Sequence, residues 1–193
     1  PAVRVATLPG ARVLGPHRAV ITSRGDVVQE VSRYFGTSRP REHPLFLNPY
    51  PPPPMDLPGR LGVLAARGDA NYYHFLIDVL PRLGLLSQCS EVPPPDLWYA
   101  PVALPFEEQL LDRLGVTAAR RIDAARHPHV RAEELVVPGL PATTEKNPPW
   151  VVEWLRSQLL PGITLDGPRT RIYVTRGGSA HNRAVRNEDI VAR

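Results

Sequence analysis

Apolar runs along the chain predict strands that alternate with helices. Runs of strand length occupy residues 19–23, 27–34, 61–66, 97–101, 134–137 and 171–175. Helical patterns occupy residues 71–80, with a continuation beyond the following proline towards Cys89, and residues 105–114 and 148–160. The last two begin with proline near the first turn, where the missing N–H does no harm. This alternation favours an α/β layered fold over a helical bundle or a β-sandwich.

Three breaks in composition predict loops. Residues 50–54 contain four consecutive prolines, which predicts an extended, polyproline-like connection. Residues 92–95 repeat this pattern on a smaller scale. Residues 162–168 are predicted to form an interdomain linker, because a new strand and a new helix are predicted after them.

The segment N-Y-Y-H-F-L-I-D-V-L-P-R-L, residues 71–83, is the most informative part of the chain. It is almost wholly apolar, and on an α-helix Asn71, His74 and Asp78 project within an arc of about 60°. A buried helix with one polar stripe must direct that stripe at partners or at a cleft, because unpaired buried polar groups are costly. The pattern therefore predicts a functional helix.

His74 and Asp78 are the candidate catalytic pair on this stripe. Histidine titrates near working pH and suits a general base, and a carboxylate four residues later can orient the imidazole. The alternative is that the two side chains only satisfy each other on a solvated helix face. Asn71 is equally suited to be the helix N-cap. The aromatic neighbours are expected mainly to pack in the core: Tyr72, Tyr73 and Phe75.

A second segment near the C-terminus concentrates positive charge. Residues 169–186 hold five arginines: Arg169, Arg171, Arg176, Arg183 and Arg186. They flank Gly177-Gly178, a predicted turn, so the cluster has the chemistry to hold phosphate. Asn187 is predicted to cap a last helix, with Glu188 in its first turn. The alternative is a set of surface arginines paired with nearby carboxylates.

Together the two segments resemble the glycosyltransferase 61 family. In that family N-Y-[FY]-H-[WF]-x-x-D-x-L-P-R is followed by [IL]-Y-[IV]-[ST]-R and then by R-x-x-x-N-E. All three blocks occur here in order, within residues 71–82 and 172–188. The resemblance implies a two-domain GT-B glycosyltransferase built from Rossmann-like α/β domains.

The resemblance also implies a division of the chain. Residues 1–166 are expected to form the N-terminal, acceptor-side Rossmann-like domain. Residues 167–193 are expected to open the nucleotide-sugar-binding domain as a β-turn-α unit, with the rest of that domain missing and the start at Pro1 trimmed. The alternative is a single domain of 193 residues.

The reaction implied is an inverting transfer of a sugar from a nucleotide-sugar, expected to be UDP-linked, to a glycan hydroxyl. The resemblance assigns catalysis to His74 and Asp78, and acceptor binding to Asn71 and Tyr73. It assigns the donor phosphates to Arg176, Gly177, Gly178, Arg183, Asn187 and Glu188. Neither a metal nor a cofactor is expected, because Asp-x-Asp is absent and the histidines lack partners at metal-ligand spacing.

A formal net charge of +4 favours an anionic partner without identifying it. Nucleic acid is not expected, since no helix-turn-helix, zinc-finger or RNP-type motif is present. Two alternatives to an enzyme stay open. One is a non-catalytic nucleotide- or polyanion-binding module that uses the cluster from Arg169 to Arg186, and the other is a scaffold that docks a partner.

Composition bears on the compartment. No apolar run reaches the roughly 18 residues of a membrane span, and no signal-peptide pattern opens the chain. The lone Cys89 excludes an internal disulfide. Of the 23 basic side chains, Lys146 alone is not arginine, which with 24 prolines indicates a GC-rich, bacterial genome. We therefore expect a cytoplasmic bacterial enzyme of surface-polysaccharide assembly; a eukaryotic origin would place it in the secretory lumen, and peripheral membrane association stays open.

Overall fold

The computed structural model describes residues 4–34, 39–47, 50–141, 147–163, 167, 172–175 and 187–191. The chain divides into two compact units, Pro1–Pro161 and Gly162–Arg193. The assignment of acceptor and donor domains with a boundary at residue 166 stays a prediction. Within the described ranges, no helix has both the length and the apolar character needed to cross a bilayer.

The first unit combines one sheet with several short helices. Its strands are β1 Val5–Pro9, β2 Arg12–Leu14, β3 Ala19–Ile21, β4 Met55–Val63, β5 Leu97–Ala100, β6 Arg121–Asp123 and β7 His129–Pro138. Its helices are α1 Tyr72–His74, a π-helix Phe75–Val79, α2 Pro81–Ser87, α3 Pro105–Arg113 and α4 Pro149–Leu159. In the described ranges, 3-10 turns cover Pro40–Glu42, Pro44–Leu47 and Ala118–Arg120.

The sheet is mixed, with the order β3-β2-β7-β4-β5-β6, and β1 pairs with β7 beyond β2. Strands β7, β4, β5 and β6 run parallel, whereas β1, β2 and β3 are antiparallel to their neighbours. The chain passes from β4 to β5 and β6 on one side and returns to β7 on the other side. The gap between β4 and β7 is therefore a topological switch point, the place where open α/β sheets bind ligands beyond the carboxyl ends of their strands.

The two faces of the sheet are covered differently. Leu61 and Val63 of β4 pack on the face that carries residues of β2, β3 and β7. On the opposite face, Leu64 and Ala66 lie just after β4 and pack with the apolar sides of the π-helix, α2, α3 and α4. The mixed α/β class is confirmed, but these four helices lie on one face only, so the finer Rossmann-like expectation is not established.

Several predicted strands need correction. Residues 27–34 do not form a strand, because Val27 makes one isolated bridge to Ile21 and the chain then turns. The turn is held where the Ser32 hydroxyl accepts a hydrogen bond from the Val20 amide at 2.8 Å. Of the predicted strand at 61–66, residues 61–63 end the longer strand β4 and residues 64–66 lie after it, whereas the run at 134–137 is part of the longer strand β7. The short strands β1, β2 and β6 were not predicted.

The second unit is described only in part. It contains the short helix α5, Glu188–Val191. The predicted strand at 171–175 is wrong for residues 172–175, which carry no strand pairing. The Tyr173 hydroxyl instead donates a hydrogen bond to the Glu188 carboxylate at 2.9 Å. Asn187 directly precedes α5, which agrees with its predicted position at the start of the last helix.

Candidate active site at the carboxyl end of strand β4

The backbone after β4 places the functional helix at the sheet edge. The Leu64 and Ala65 amides both donate to the Tyr99 carbonyl, at 2.9 and 3.0 Å, so the strand end stays attached to β5. Residues 67–70 turn, and Asn71 caps α1 by accepting from the Tyr73 amide at 2.9 Å. Asn71 therefore has a local structural task, and its acceptor-binding role stays a prediction.

The predicted helix at 71–80 is present but is not a uniform α-helix. It opens into a π-helix, in which the Leu80 amide donates to the Phe75 carbonyl at 3.0 Å. Pro81 explains the change, because its ring would clash with the carbonyl of Ile77 in an α-helix and it has no N–H to donate. Single π-helical turns of this kind occur often at functional sites. The predicted continuation beyond the proline is confirmed as α2.

His74 and Asp78 form a pair on this helix. The imidazole Nδ1 lies 2.8 Å from the Asp78 carboxylate, and the two side chains are 38% and 22% exposed. When Nδ1 carries the proton it donates to the carboxylate, which leaves Nε2 as the nitrogen able to accept a proton. Gly68 packs beside the ring, since a Cβ on it would lie 3.4 Å from the His74 Cδ2. The imidazole is therefore oriented from two directions and remains accessible.

Two tyrosines at the start of the helix are more exposed than predicted. Tyr72 and Tyr73 are 57% and 55% exposed, so the prediction that they pack in the core is wrong, whereas Phe75 is fully buried as predicted. The rings of Tyr72 and Phe106 meet in a T-shaped arrangement, with their centroids 5.0 Å apart. The Tyr73 hydroxyl accepts a hydrogen bond from the Asn147 amide at 2.7 Å. Tyr73 thus links the chain after β4 to the chain after β7, beside the switch point.

Arg82 closes the family motif and was not assigned a role from the sequence. Only 1% of it is exposed. Its Nη1 donates to the carbonyls that end β4, at 3.2 Å to Val63 and 3.0 Å to Ala65. Its Nε and Nη2 have no hydrogen-bond partner within the described part of the chain. Burial lowers the pKa of Arg82 to about 10, and the charges of Asp78 and Asp69 oppose that shift, so the guanidinium is protonated at neutral pH.

A buried ion pair supports the turn before the helix. The Arg18 Nε donates to the Asp69 carboxylate at 2.9 Å, and the Arg18 Nη1 donates to the Ala124 carbonyl at 2.7 Å. Burial raises the pKa of Asp69, against the attraction of Arg18. Burial also disfavours the charge on Arg18, but pairing with Asp69 outweighs it and raises the pKa of Arg18. Sequence patterns could not find this pair, because its members lie 51 positions apart.

The predicted donor-phosphate residues fall in the second unit. Arg176, Gly177, Gly178 and Arg183 lie outside the described residues. Asn187 and Glu188 lie at the start of α5, where the Glu188 carboxylate accepts from Tyr173. Where the structure describes the chain, no three His, Cys, Asp or Glu side chains are grouped so that they could hold a metal ion.

Comparison with known proteins bears directly on this helix. No curated protein and no solved structure matches the chain. The family model described as Glycosyltransferase 61 matches residues 72–193, which is more than half of the chain. The match begins in α1, so it includes the His74–Asp78 pair and Arg82. The chain therefore belongs to the glycosyltransferase 61 family.

Proposed function

We propose that the protein is an inverting, metal-independent glycosyltransferase of GT-B architecture that moves a sugar from a nucleotide-sugar to a hydroxyl of a glycan or polysaccharide. Family membership supports glycosyl transfer in general. The observation that carries the finer proposal is the His74–Asp78 pair, with Nδ1 2.8 Å from the carboxylate. The pair is accessible at the carboxyl edge of the sheet, beside the switch point between β4 and β7.

The proposed reaction is a single displacement at the anomeric carbon. His74 Nε2 takes the proton of the acceptor hydroxyl while the acceptor oxygen forms its bond to the anomeric carbon. The bond from that carbon to the diphosphate oxygen breaks, and the diphosphate leaves with the electron pair. The Asp78 carboxylate holds the imidazole in the required tautomer and stabilises the imidazolium that forms. Attack from the face opposite the leaving group inverts the anomeric centre.

Substrate contacts are proposed for residues of each unit separately. The exposed ring of Tyr73, held by Asn147, offers a surface on which a sugar ring of the acceptor can pack. Arg176 and Arg183 would neutralise the diphosphate of the donor, and the backbone amides of Gly177 and Gly178 would donate hydrogen bonds to it. Asn187 and Glu188 would order that segment. UDP is the proposed nucleotide, and no metal or other cofactor takes part in the proposal.

The biological setting is also a proposal. The arginine- and proline-rich composition supports a bacterial enzyme, cytoplasmic and engaged in surface-polysaccharide assembly. A nucleotide-sugar and a glycan are its proposed partners, rather than nucleic acid. Peripheral attachment to a membrane is part of this proposal.

The first experiment identifies the nucleotide. Unfolding temperature would be measured during titration with UDP, GDP, CMP, their sugar conjugates and a short DNA duplex. Arg176→Ala would be compared with Arg126→Ala, which removes an arginine that is 84% exposed in the first unit. The proposal expects stabilisation by one nucleotide that Arg176→Ala loses and Arg126→Ala keeps. Stabilisation by DNA alone would favour the polyanion-binding module instead.

The second experiment tests the base. With the nucleotide-sugar found above, nucleotide release would be followed in the presence of a panel of oligosaccharide acceptors. His74→Ala should slow release about 10²–10⁴-fold, because general-base catalysis contributes that much. Its nucleotide-induced stabilisation should stay close to that of the unsubstituted protein. Release at an unchanged rate would exclude His74 as the base.

A further inference from the structure

We propose that Asn147 is a positioning residue of the acceptor site: its side-chain amide holds Tyr73 in place, and the Tyr73 ring in turn lies against the ring of His74. Asn147 falls between the blocks of the family motif, at residues 71–82 and 172–188, so the motif assigns it no role. The acceptor part of this inference rests on the proposed function. The arrangement of the three side chains does not, because it can be observed without any substrate.

Tyr73 is held at both ends. Its backbone amide donates to the Asn71 side chain at 2.9 Å, and its hydroxyl accepts from the Asn147 side-chain amide at 2.7 Å. Between these points the ring meets the His74 imidazole in a T-shaped arrangement, with the centroids 5.4 Å apart. The residue nevertheless stays 55% exposed. An exposed ring that is fixed in this way loses little conformational freedom when a ligand packs on it, so binding costs less.

The chain around Asn147 gives its side chain a fixed origin. Asn147 precedes Pro148, and the residue before a proline is largely confined to extended conformations. Helix α4 begins directly after Pro148. Further along α4, Trp154 packs so closely on α2 that a Cβ on Gly84 would lie 2.7 Å from its Nε1. Because α4 is seated on the helix that continues from the π-helix, Asn147 reaches Tyr73 from a defined position.

The hydrogen bond between Asn147 and Tyr73 has little value for the fold. Tyr73 is exposed and Asn147 is only half-buried, so water can replace either partner when the bond is broken. An exposed neutral hydrogen bond of this kind adds little to stability. Its consequence is geometric, because it selects one direction for an exposed ring. An acceptor sugar that packs on Tyr73 would thereby be held at a set distance from His74.

The first test observes His74 by NMR without any substrate. An aromatic ring shifts the resonances of protons near it, so the ring protons of His74 report where the Tyr73 ring lies. Spectra would be recorded at about pH 8.5, above the ordinary titration range of histidine, with His74 assigned by its loss in His74→Gln. Asn147→Ala and Tyr73→Phe should displace the His74 resonances in the same direction. The double substitution should add nothing further, since each single change removes the same hydrogen bond.

Two further variants serve as controls in that experiment. Asn147→Asp keeps the size of the side chain and can accept the proton of the Tyr73 hydroxyl, so the His74 resonances should stay near their original positions. Gln158→Ala removes an exposed side-chain amide of α4 that does not contact Tyr73, and it should change nothing.

The second test measures transfer to an oligosaccharide acceptor. In Asn147→Ala the KM for the acceptor should rise roughly 3–10-fold, the effect of one neutral hydrogen bond. The change in kcat should be smaller, and the KM for the nucleotide-sugar should stay the same. His74→Ala, in contrast, is expected to act on kcat.

Other results overturn the inference. His74 resonances that do not move in Asn147→Ala, that move equally in Asn147→Asp, or that move further when Asn147→Ala is added to Tyr73→Phe would show that Asn147 does not act through the Tyr73 hydroxyl. An unchanged acceptor KM would remove its role in acceptor binding, and failure of both Asn147 variants to fold would assign it to the fold alone. If no transfer is detected with any nucleotide-sugar, the proposed function fails, whereas the NMR comparison still decides whether Asn147 holds Tyr73 against His74.

Discussion

The two ends of β4 both carry charged side chains, but in opposite circumstances. At the amino end, Arg131 makes a two-pronged contact with the Asp56 carboxylate, and both side chains are about half exposed or more. At the carboxyl end, Arg18 and Asp69 are 9% and 6% exposed, and Arg82 is buried with two nitrogens unpaired within the described part of the chain. Exposed pairs with both partners satisfied are ordinary surface chemistry.

The contrast separates exposed charges, which remain in contact with water, from buried charges, whose desolvation costs free energy. Buried polar groups are nearly always satisfied, so a buried guanidinium with two unpaired nitrogens needs an explanation. Perturbed ionisable groups also gather at functional sites. The carboxyl end combines both features with the accessible His74–Asp78 pair. It is therefore the end at which chemistry is expected, in agreement with the position of the switch point.

The largest effect on stability is expected from Asp69→Ala. It leaves the Arg18 guanidinium buried with one carbonyl partner, and breaking a buried ion pair typically costs about 3–5 kcal/mol of unfolding free energy. Denaturant unfolding would measure the loss. The matched control is Asp56→Ala, which leaves Arg131 in water and should change stability little. Equal losses from the two substitutions would remove the distinction between the two ends.

A smaller loss is expected from Gly59→Ala, in the middle of β4. Gly59 has φ +70°, and β4 shifts its register against β7 between Leu57 and Arg60. A side chain in the left-handed region costs about 1–2 kcal/mol. A Cβ there would also lie 2.5 Å from the Asp96 carboxylate. Unfolding of Gly59→Ala would be compared with the same substitution in an Asp96→Ala background, which removes the clash and keeps the backbone strain.

If Gly59→Ala costs nothing in either background, the irregularity in β4 does not depend on glycine. If the loss is present in both, backbone strain is its main source. A measured loss would show that the glycine in the middle of β4 shapes the strand, whereas the exposed charges at the amino end add little to stability. The carboxyl end would then differ, because there the buried charges themselves contribute to the free energy of unfolding.

Local sequence patterns predicted the functional helix but not its surroundings. The His74–Asp78 contact was predictable because a spacing of four residues brings side chains together on one helix face. The π-helix was not predicted. Pro81 causes it from outside, since the proline lies after the π-helix, and no residue within the π-helix indicates the change. The strand predicted at residues 27–34 was also wrong, because the Ser32 hydroxyl is hydrogen-bonded to Val20 and the chain turns there.

Long-range contacts and very short strands could not be predicted from the sequence. Arg18 and Asp69 meet only because the turn after β2 lies against the turn after β4, a contact that no spacing encodes. Strand β6 has three residues, too few for an alternation to be read. Arg82 was visible as the last residue of the family motif, yet its burial depends on the carbonyls of residues 63–65 turning towards it.

Lowering the pH should change the contribution to stability differently at the two ends of β4. His17, Tyr34 and His43 form a ring cluster, and Arg67, just after β4, stacks over Tyr34. Burial lowers the pKa of His17 and of His43 below the ordinary 6.5. The unfolded chain therefore binds protons more readily, so stability is complete above pH 6.5 and falls as the pH drops below it. Protonation of His43 would also break the bond that its Nδ1 accepts from the Leu45 amide.

Unfolding free energy measured between pH 8 and pH 5 should show this decline, and His43→Asn should reduce its slope. At the amino end, hydrogen bonding from Arg131 lowers the pKa of Asp56 below 3.8, so its contribution is present above that pH and lost only in stronger acid. A flat profile down to pH 5 would contradict the assignment of titrating histidines to the carboxyl end.

The smallest effect is expected from the Asp56–Arg131 pair itself. Both side chains reach water, so desolvation is slight and salt screens their attraction. A double-mutant cycle with Asp56→Asn and Arg131→Gln, followed by denaturant unfolding, should give a weak coupling at low salt that fades at high salt. The same cycle with Asp69→Asn and Arg18→Gln should give a much larger coupling that salt hardly changes. A strong, salt-insensitive coupling at Asp56–Arg131 would mean that exposure does not decide what these charges contribute, and the contrast between the two ends of β4 would fail.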